Sequence, residues 1–509
     1  MALASLIAPA AFPLQLACEF QTLFILISAL LLTIGVYRNF LHPLSQIPGP
    51  CSLRLSSLPL LWRSYAGTEA TFLTRLFAET NAPILRIGPN EVLLADGVAL
   101  APIYSTDGGF PKAACYRNFD IDGFPSLFSA LDKGYRAPRA KSVVPMFATA
   151  ALRKGESSVR SVAARLVERL EGEKRKGGRV DVLDLARSTA KLRRLGDWGR
   201  KGAKDGSKLS ASEFVNAFVG VGRFFFLPNW AFMMLDKVAG YLFETPETLE
   251  SFDSVQVFVE DLVNEADVED GTYQARMLKL GLSKKEVAAQ MKDLVFAGTD
   301  SSGMNLSTFC WQLAKHADIF AKVTAEVRQA KNDNAEYDPS TLPYLRACLR
   351  ETLRLSMANP TRLPRVVPEG GWIYTPSADF SFTGQILQVS KSYFLPAGTL
   401  VSLQIHTLHH NPAVFPDPYE FRPERWLDSP PDQLEKMSRN YIPFGLGSRQ
   451  CIARNLAMME LNRSCAAILE SDVLDGARNV GDRIEILEWF NSKVRGERIE
   501  IEFQHNQSD

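Results

Sequence analysis

Ten residues near the C-terminal end, Phe444-Gly-Leu-Gly447-Ser-Arg449-Gln-Cys451-Ile-Ala453, carry the types and spacing of a ligand-binding loop. Glycine lets a backbone turn tightly and approach a flat partner closely. Cys451 directly precedes an apolar-periodic stretch, residues 452–461, that reads as a helix. At a helix N-terminus the macrodipole and the free N–H groups favour a thiolate over a thiol. A thiolate is a strong soft ligand for a metal, and Arg449 two residues earlier adds a cation suited to a carboxylate. A purely structural reading, a glycine-rich turn before a buried cysteine, uses the same residues. A dinucleotide fingerprint does not fit, because G-L-G-S-R-Q lacks the last glycine and opens no βαβ unit.

A thiolate also pushes electron density onto haem iron and favours O–O cleavage, and Arg449 would then face a haem propionate. Farther upstream, Glu351 and Arg354 sit three residues apart, so on a helix they share one face and can pair. Such pairs are common on surfaces and contribute little there. Ala297-Gly298-Thr-Asp300-Ser301-Ser302 reads, by itself, as a polar kink in a core helix.

In chain order these segments resemble the cytochrome P-450 family. Phe444, Gly447, Arg449 and Cys451 match its haem-binding loop, F-x-x-G-x-R-x-C, although Ala453 stands where a glycine is usual. Glu351-Thr-Leu-Arg354 matches its E-x-x-R, and Pro423-Glu-Arg425 its P-E-R segment. The resemblance implies that Glu351, Arg354 and Arg425 form a buried structural cluster. It implies that Ala297 and Gly298 let a helix lie close to haem, and that Asp300 and Ser301 relay protons during dioxygen activation. Ser301 replaces the commoner threonine; the hydroxyl is kept and the rotamer is freer. Arg365 matches a propionate-binding arginine, and Arg139 with Tyr135 resembles the W-x-x-x-R pair, with tyrosine in place of tryptophan. The match is strong over residues 280–460 and loose over 100–270. Residues 372–394 exceed the usual length, as an insertion or an error in the translated gene. Residues 191–208, rich in lysine and arginine, read as a solvated loop or the same kind of error.

The elements that must hold these residues are mostly helical. Ser283-Lys-Lys-Glu286 is a capping box, and the pattern after it runs without proline to His316, long enough to cross a domain. A second helix begins near Thr341-Leu-Pro343 and puts Leu342, Leu345, Leu349 and Leu353 on one stripe. Residues 84–94, 483–489 and 498–503 read as extended. Phe224 to Met233 is an aromatic-rich run that suits either core or membrane. His406, His409 and His410 form no H-E-x-x-H and read as structural or exposed.

Residues 20–37 are uncharged, about the length of a ~30 Å hydrocarbon layer. Arg38, Arg54 and Arg63 follow with no acid before Glu69, which predicts a cytosolic C-terminal side. A cleaved signal peptide is the rival, against which stand the long apolar run and the missing basic n-region. Pro43, Pro48 and Pro50 then make a stiff hinge.

With 57 basic and 57 acidic residues, the chain has no electrostatic footprint for nucleic acid. Its seven scattered cysteines include no C-x-x-C pair, which excludes a disulfide framework or structural zinc site. The expected architecture is a mainly α fold with a smaller β portion. It comprises a short lumenal segment (1–19), a transmembrane anchor (20–37), a hinge (38–50) and one catalytic domain (51–509). The expected activity is insertion of one oxygen atom into an apolar small molecule, in secondary metabolism, by haem b ligated through Cys451. The resemblance implies dioxygen, an NADPH-dependent diflavin reductase and an endoplasmic reticulum membrane as partners. The alternatives are a thiolate-haem isomerase or dehydratase, and a non-catalytic membrane protein that binds haem or lipid.

Overall fold

The opening apolar run is helix α1 (Ala11–Val36), continued by a π-helical turn, Tyr37–Leu41. The structure is a computed structural model that describes residues 11–191, 219–243, 246–385 and 391–504. The apolar span Glu19–Leu41 is long enough to cross a membrane, and none of its most apolar stretch is buried in the protein. Nothing between Ala11 and Val36 breaks the helix, since Pro13 falls in the first turn, where no hydrogen bond is lost.

The proline-rich segment after it is pinned to the body. Leu44 and Ile47 are buried beside Ile84 and Val92. The Arg86 amide donates to the Pro48 carbonyl at 2.7 Å. The fully buried Arg86 guanidinium donates to the carbonyls of Arg38 and Pro89, each at 2.7 Å.

The body is a helical bundle with a small sheet at one side. Its main helices are α2 (Leu58–Ala66), α3 (Lys133–Val143), α4 (Glu156–Lys176), α5 (Val182–Lys191), α6 (Lys284–Lys315), α7 (Ala317–Asp333), α8 (Pro343–Ser356) and α9 (Arg454–Glu470). Helix α6 is the axle: its 32 residues span about 48 Å. Its C-terminal half, Met304 to Leu313, is buried among leucines of α4, α5, α8 and α9. Ser283 caps it, accepting the Glu286 N–H at 3.2 Å. The reciprocal arm of the expected capping box is not made. The Glu286 carboxylate instead accepts the Tyr135 hydroxyl at 2.6 Å and Arg139, tying α6 to α3. Helix α8 starts at Pro343 and buries Leu345, Leu349 and Leu353, whereas Leu342, expected on the same stripe, precedes the helix and is half-buried.

Residues 84–94 form the hairpin Ile84–Gly88 and Glu91–Leu94. It continues into a sheet through Leu400–Leu403, parallel to the second strand, and Arg365–Val366, antiparallel to the third. The long segment 372–394 folds in part as a second hairpin, Trp372–Tyr374 with Tyr393–Leu395. From its arm, Phe380 and Phe382 insert among Leu53, Leu60, Leu73 and Phe77. Burying the Phe382 ring alone stabilises the fold by roughly 2 kcal/mol. Residues 386–390 and almost all of 191–208 lie outside the described residues.

Candidate active site

The Cys451 loop is built as the glycines predict. The Cys451 N–H donates to the Phe444 carbonyl at 2.8 Å and closes the turn. Phe444 packs against the main core. Gly447 has φ +71, and a Cβ there would run into the Tyr104 carbonyl, so only glycine fits. Solvent reaches the Cys451 side chain. Protein atoms nonetheless ring the thiol, and that crowding pushes its pKa up, opposed by the Ala453 N–H. Helix α9 begins at Arg454, not at 452, and dipole effects fade within a turn.

Beside this loop four cations converge. Arg449 donates to the carbonyls of Ala130 at 2.9 Å and Leu131 at 3.4 Å. Arg365, buried, donates to the Tyr116 hydroxyl at 3.0 Å. Lys112 bridges antiparallel to Arg365, donates to the Phe128 carbonyl, and lies 4.0 Å above the Tyr116 ring. Arg136 on α3 donates to the Leu127 carbonyl at 3.0 Å. Burial, then the nearby Arg136 and Arg365, lower the Arg449 pKa to about 10. Burial, then Arg365, Arg449 and Arg136, push Lys112 well down, with Asp293 the one acid opposing. A surplus of crowded, inward-facing positive charge is costly unless an anion completes it. The two propionates of haem are such an anion, so the residues fit that group. Arg139 is not in this cluster: its guanidinium pairs with Glu286 at 2.7 Å. Arg136, three residues earlier on the same helix, stands beside Arg449 and Lys112 instead.

Helix α6 is open to solvent at one point in mid-helix. Ala297 is exposed, and Gly298 and Ser301 are half-buried, although Val295, Phe296, Thr299 and Asp300 around them are buried. Ile452, next to the cysteine, packs against the cluster that holds Val295 and Phe296. The Ser301 hydroxyl donates to the Ala297 carbonyl at 3.0 Å. Asp300 forms a salt bridge with Arg187 of α5. Gly303 makes room for it, since a Cβ there would come within 2.9 Å of the Arg187 Cγ. Arg187 had no sequence signal, because the contact joins positions far apart in the chain.

The Glu351 cluster forms as the resemblance implies. Glu351 accepts Arg354 at 2.8 and 3.0 Å, Arg425 at 2.9 Å and the Trp426 indole at 2.9 Å. All three charged side chains are fully buried. Burial alone would raise Glu351, but Arg354 and Arg425 outweigh it and hold its carboxyl below the usual range. The cluster reaches the Cys451 side of the molecule through His409. Its Nδ1 lies 3.3 Å from the Arg354 carbonyl, and its Nε2 accepts the Ile442 N–H at 3.0 Å. His406, His409 and His410 are all buried and structural.

A cysteine on a glycine loop with excess cations beside it has the chemistry of a haem-thiolate site. The family model for cytochrome P450 matches residues 223–471. The monooxygenase mfmF of Annulohypoxylon moriforme is 37% identical, over 93% of this chain and 98% of its own. The monooxygenase orf2 of Aspergillus niger is 27% identical over 93% and 96%. The fusicoccadiene C-8 hydroxylase of Alternaria brassicicola is 27% identical over 88% of each chain. The chain belongs to the cytochrome P450 family. It is a haem monooxygenase that uses a cysteine-ligated haem, dioxygen, an organic substrate and a redox partner.

Proposed function

We propose that the Cys451 sulfur would hold the iron of haem b and that Arg449, Arg365, Arg136 and Lys112 would hold its propionates. The observation that carries this assignment is the convergence of those four cations beside the cysteine loop. Haem, once bound, supplies reductive cleavage of dioxygen, with one atom going to the substrate and the other to water. The chain's own residues do the rest. The Cys451 sulfur donates charge, and the Phe444 and Gly447 backbone fixes its direction. Ser301 and Asp300 hold and move protons at the opening in α6, and Arg187 orients the Asp300 carboxylate.

The substrate is an apolar small molecule of secondary metabolism, a reading supported by a relative named for hydroxylating fusicoccadiene. Electrons come from an NADPH-dependent diflavin reductase. The protein is a single-pass protein of the endoplasmic reticulum with the body cytosolic, which the basic flank of α1 supports. The Phe224–Met233 run serves both expected ends: Phe225 and Phe232 are core, while Trp230 and Met233 are exposed. Trp62 stacks on Tyr65, and Tyr65 meets Phe224, so α2 and this run make one apolar patch suited to the bilayer surface.

The test is the absorption spectrum of the reduced protein with carbon monoxide, beside Cys451→Ala. A strongly red-shifted Soret band that the substitution removes is expected. A band like that of histidine-ligated haem in the wild type would sink the assignment.

A further inference from the structure

Beyond Ser301, α6 runs on for about 20 Å and ends against the strands Arg478–Asn479 and Glu500–Phe503. A cavity of about 160 Å³ opens there, lined on its buried side by Trp311. Its frame is pinned by hydrogen bonds. The Trp311 indole donates to the Val480 carbonyl at 3.0 Å, and the Val480 N–H to the Glu500 carbonyl at 3.1 Å. The Arg495 N–H donates to the Glu485 carbonyl at 2.8 Å. The Lys315 ammonium, 5.2 Å from the centre of the Trp311 ring, holds the Asp482 carbonyl at 2.9 Å.

Most of the remaining lining is charged. Arg483, Arg495 and Arg498 supply three guanidiniums against the carboxylates of Glu485 and Glu500. Glu485 is shared by two of them: it accepts Arg483 at 3.0 and 3.3 Å and pairs with Arg495 at 3.4 Å. Glu497, the acid next to Arg498, is taken by Lys493. Among the described residues, Arg498 makes no ion pair or side-chain hydrogen bond. One carboxylate thus holds two guanidiniums beside each other, and the third leaves the lining net positive. Guanidinium forks match the oxygens of phosphate two at a time. The cavity has the room of about five waters at ~30 Å³ each, enough for two linked phosphoryl groups.

We infer that this cavity is a second ligand site, which takes the diphosphate group of a small metabolite through Arg483, Arg495 and Arg498. It shares no residue with the cysteine loop and does not depend on the oxygenation chemistry. The bound group clamps both ends of the antiparallel pair Ile486–Leu487 and Lys493–Val494. The turn between those strands carries Phe490 onto Phe225, 3.9 Å between ring centroids, and ties the Trp489 indole to the Tyr65 carbonyl at 3.0 Å.

The test is calorimetric titration of the purified full chain with inorganic pyrophosphate, at an ionic strength held constant with sodium chloride. Saturable binding of one pyrophosphate per chain is expected. Arg498→Ala is expected to weaken it about 10- to 100-fold, the scale of hydrogen bonds to a charged group. Arg483→Lys keeps the charge but loses the fork, and is expected to weaken binding as well. Arg478→Ala removes an exposed cation outside the cavity and is expected to change nothing. All three side chains are exposed, so equal urea midpoints are expected; should one cavity variant unfold, the other carries the comparison. Titrations with ADP and with geranyl diphosphate, each read as the difference that Arg498→Ala makes, separate the sources. The tighter of the two names a nucleotide or an isoprenoid, and equal affinities mean recognition of the phosphates alone. No saturable heat with pyrophosphate, an affinity that both cavity variants leave intact, or an equal loss in Arg478→Ala would overturn the inference.

Discussion

At the scale of single residues, the site depends on positions that admit no other side chain. Gly447 combines a left-handed φ with a carbonyl where its Cβ would stand. Gly447→Ala should distort the Cys451 loop at a cost of about 1–3 kcal/mol. The expected outcome is a lower ratio of Soret to protein absorbance in the purified enzyme. Asp300, to which we assign proton handling, takes its geometry from a partner, Arg187, that only the fold supplies. Asp300→Asn should lower turnover by about 10²-fold, the scale of one general acid–base group, while leaving Soret shifts induced by apolar ligands unchanged. An equal loss of ligand binding would mean that Asp300 shapes the substrate site rather than moves protons.

At the scale of elements, buried charge ties the helices to the segments around them. Glu351 on α8 accepts five hydrogen bonds, two from Arg354 and one each from Arg425, Trp426 and the Arg422 backbone amide. Those arginines in turn hold the carbonyls of Pro416, Pro418 and His409. Removing the one acid leaves two buried guanidiniums uncompensated, so Glu351→Gln should cost roughly 3–5 kcal/mol. A lower midpoint in urea unfolding would show it; an unchanged midpoint would mean that the cluster is balanced elsewhere. Helix α6 shows how one element serves two demands. Its buried half holds the bundle together, while the Ala297–Ser301 opening interrupts that packing.

At the scale of the whole molecule, two properties follow from what is buried and what is not. Burial lowers the pKa of His406 to about 4 and of His409 to about 3, from a usual 6.5. Below pH 6.5 the unfolded chain takes up protons that the folded protein refuses, so their presence costs stability as pH falls toward those values. Per histidine the slope approaches 1.4 kcal/mol per pH unit. His409→Gln should therefore flatten the decline between pH 6.5 and 4 by about that slope, whatever it costs at neutral pH. Denaturant titrations at several pH values would reveal it, and parallel curves would refute it. The second property is the apolar exterior. A chain starting at residue 42 should still bind neutral lipid vesicles through Leu58, Trp62 and Trp230, all exposed. Trp62→Asp with Trp230→Asp should release it in a sedimentation assay.

The sequence by itself determined everything that depends on neighbours a few residues apart. That covers the cysteine loop, the Glu351–Arg354 spacing, the caps and stripes of α6 and α8, and the apolar run of α1. Local backbone chemistry and helical periodicity are written in short windows of sequence, and Cys451 could be singled out from one such window. Only the tertiary structure decided the contacts between distant segments. Lys112 meets Arg365 because one strand of chain bridges to another. Arg136 rather than Arg139 turns toward the cations because Glu286 takes Arg139. Arg187 reaches Asp300 because α5 lies across α6 at Gly303. No short window of sequence contains those pairings, because each is fixed by packing that brings together positions more than a hundred residues apart.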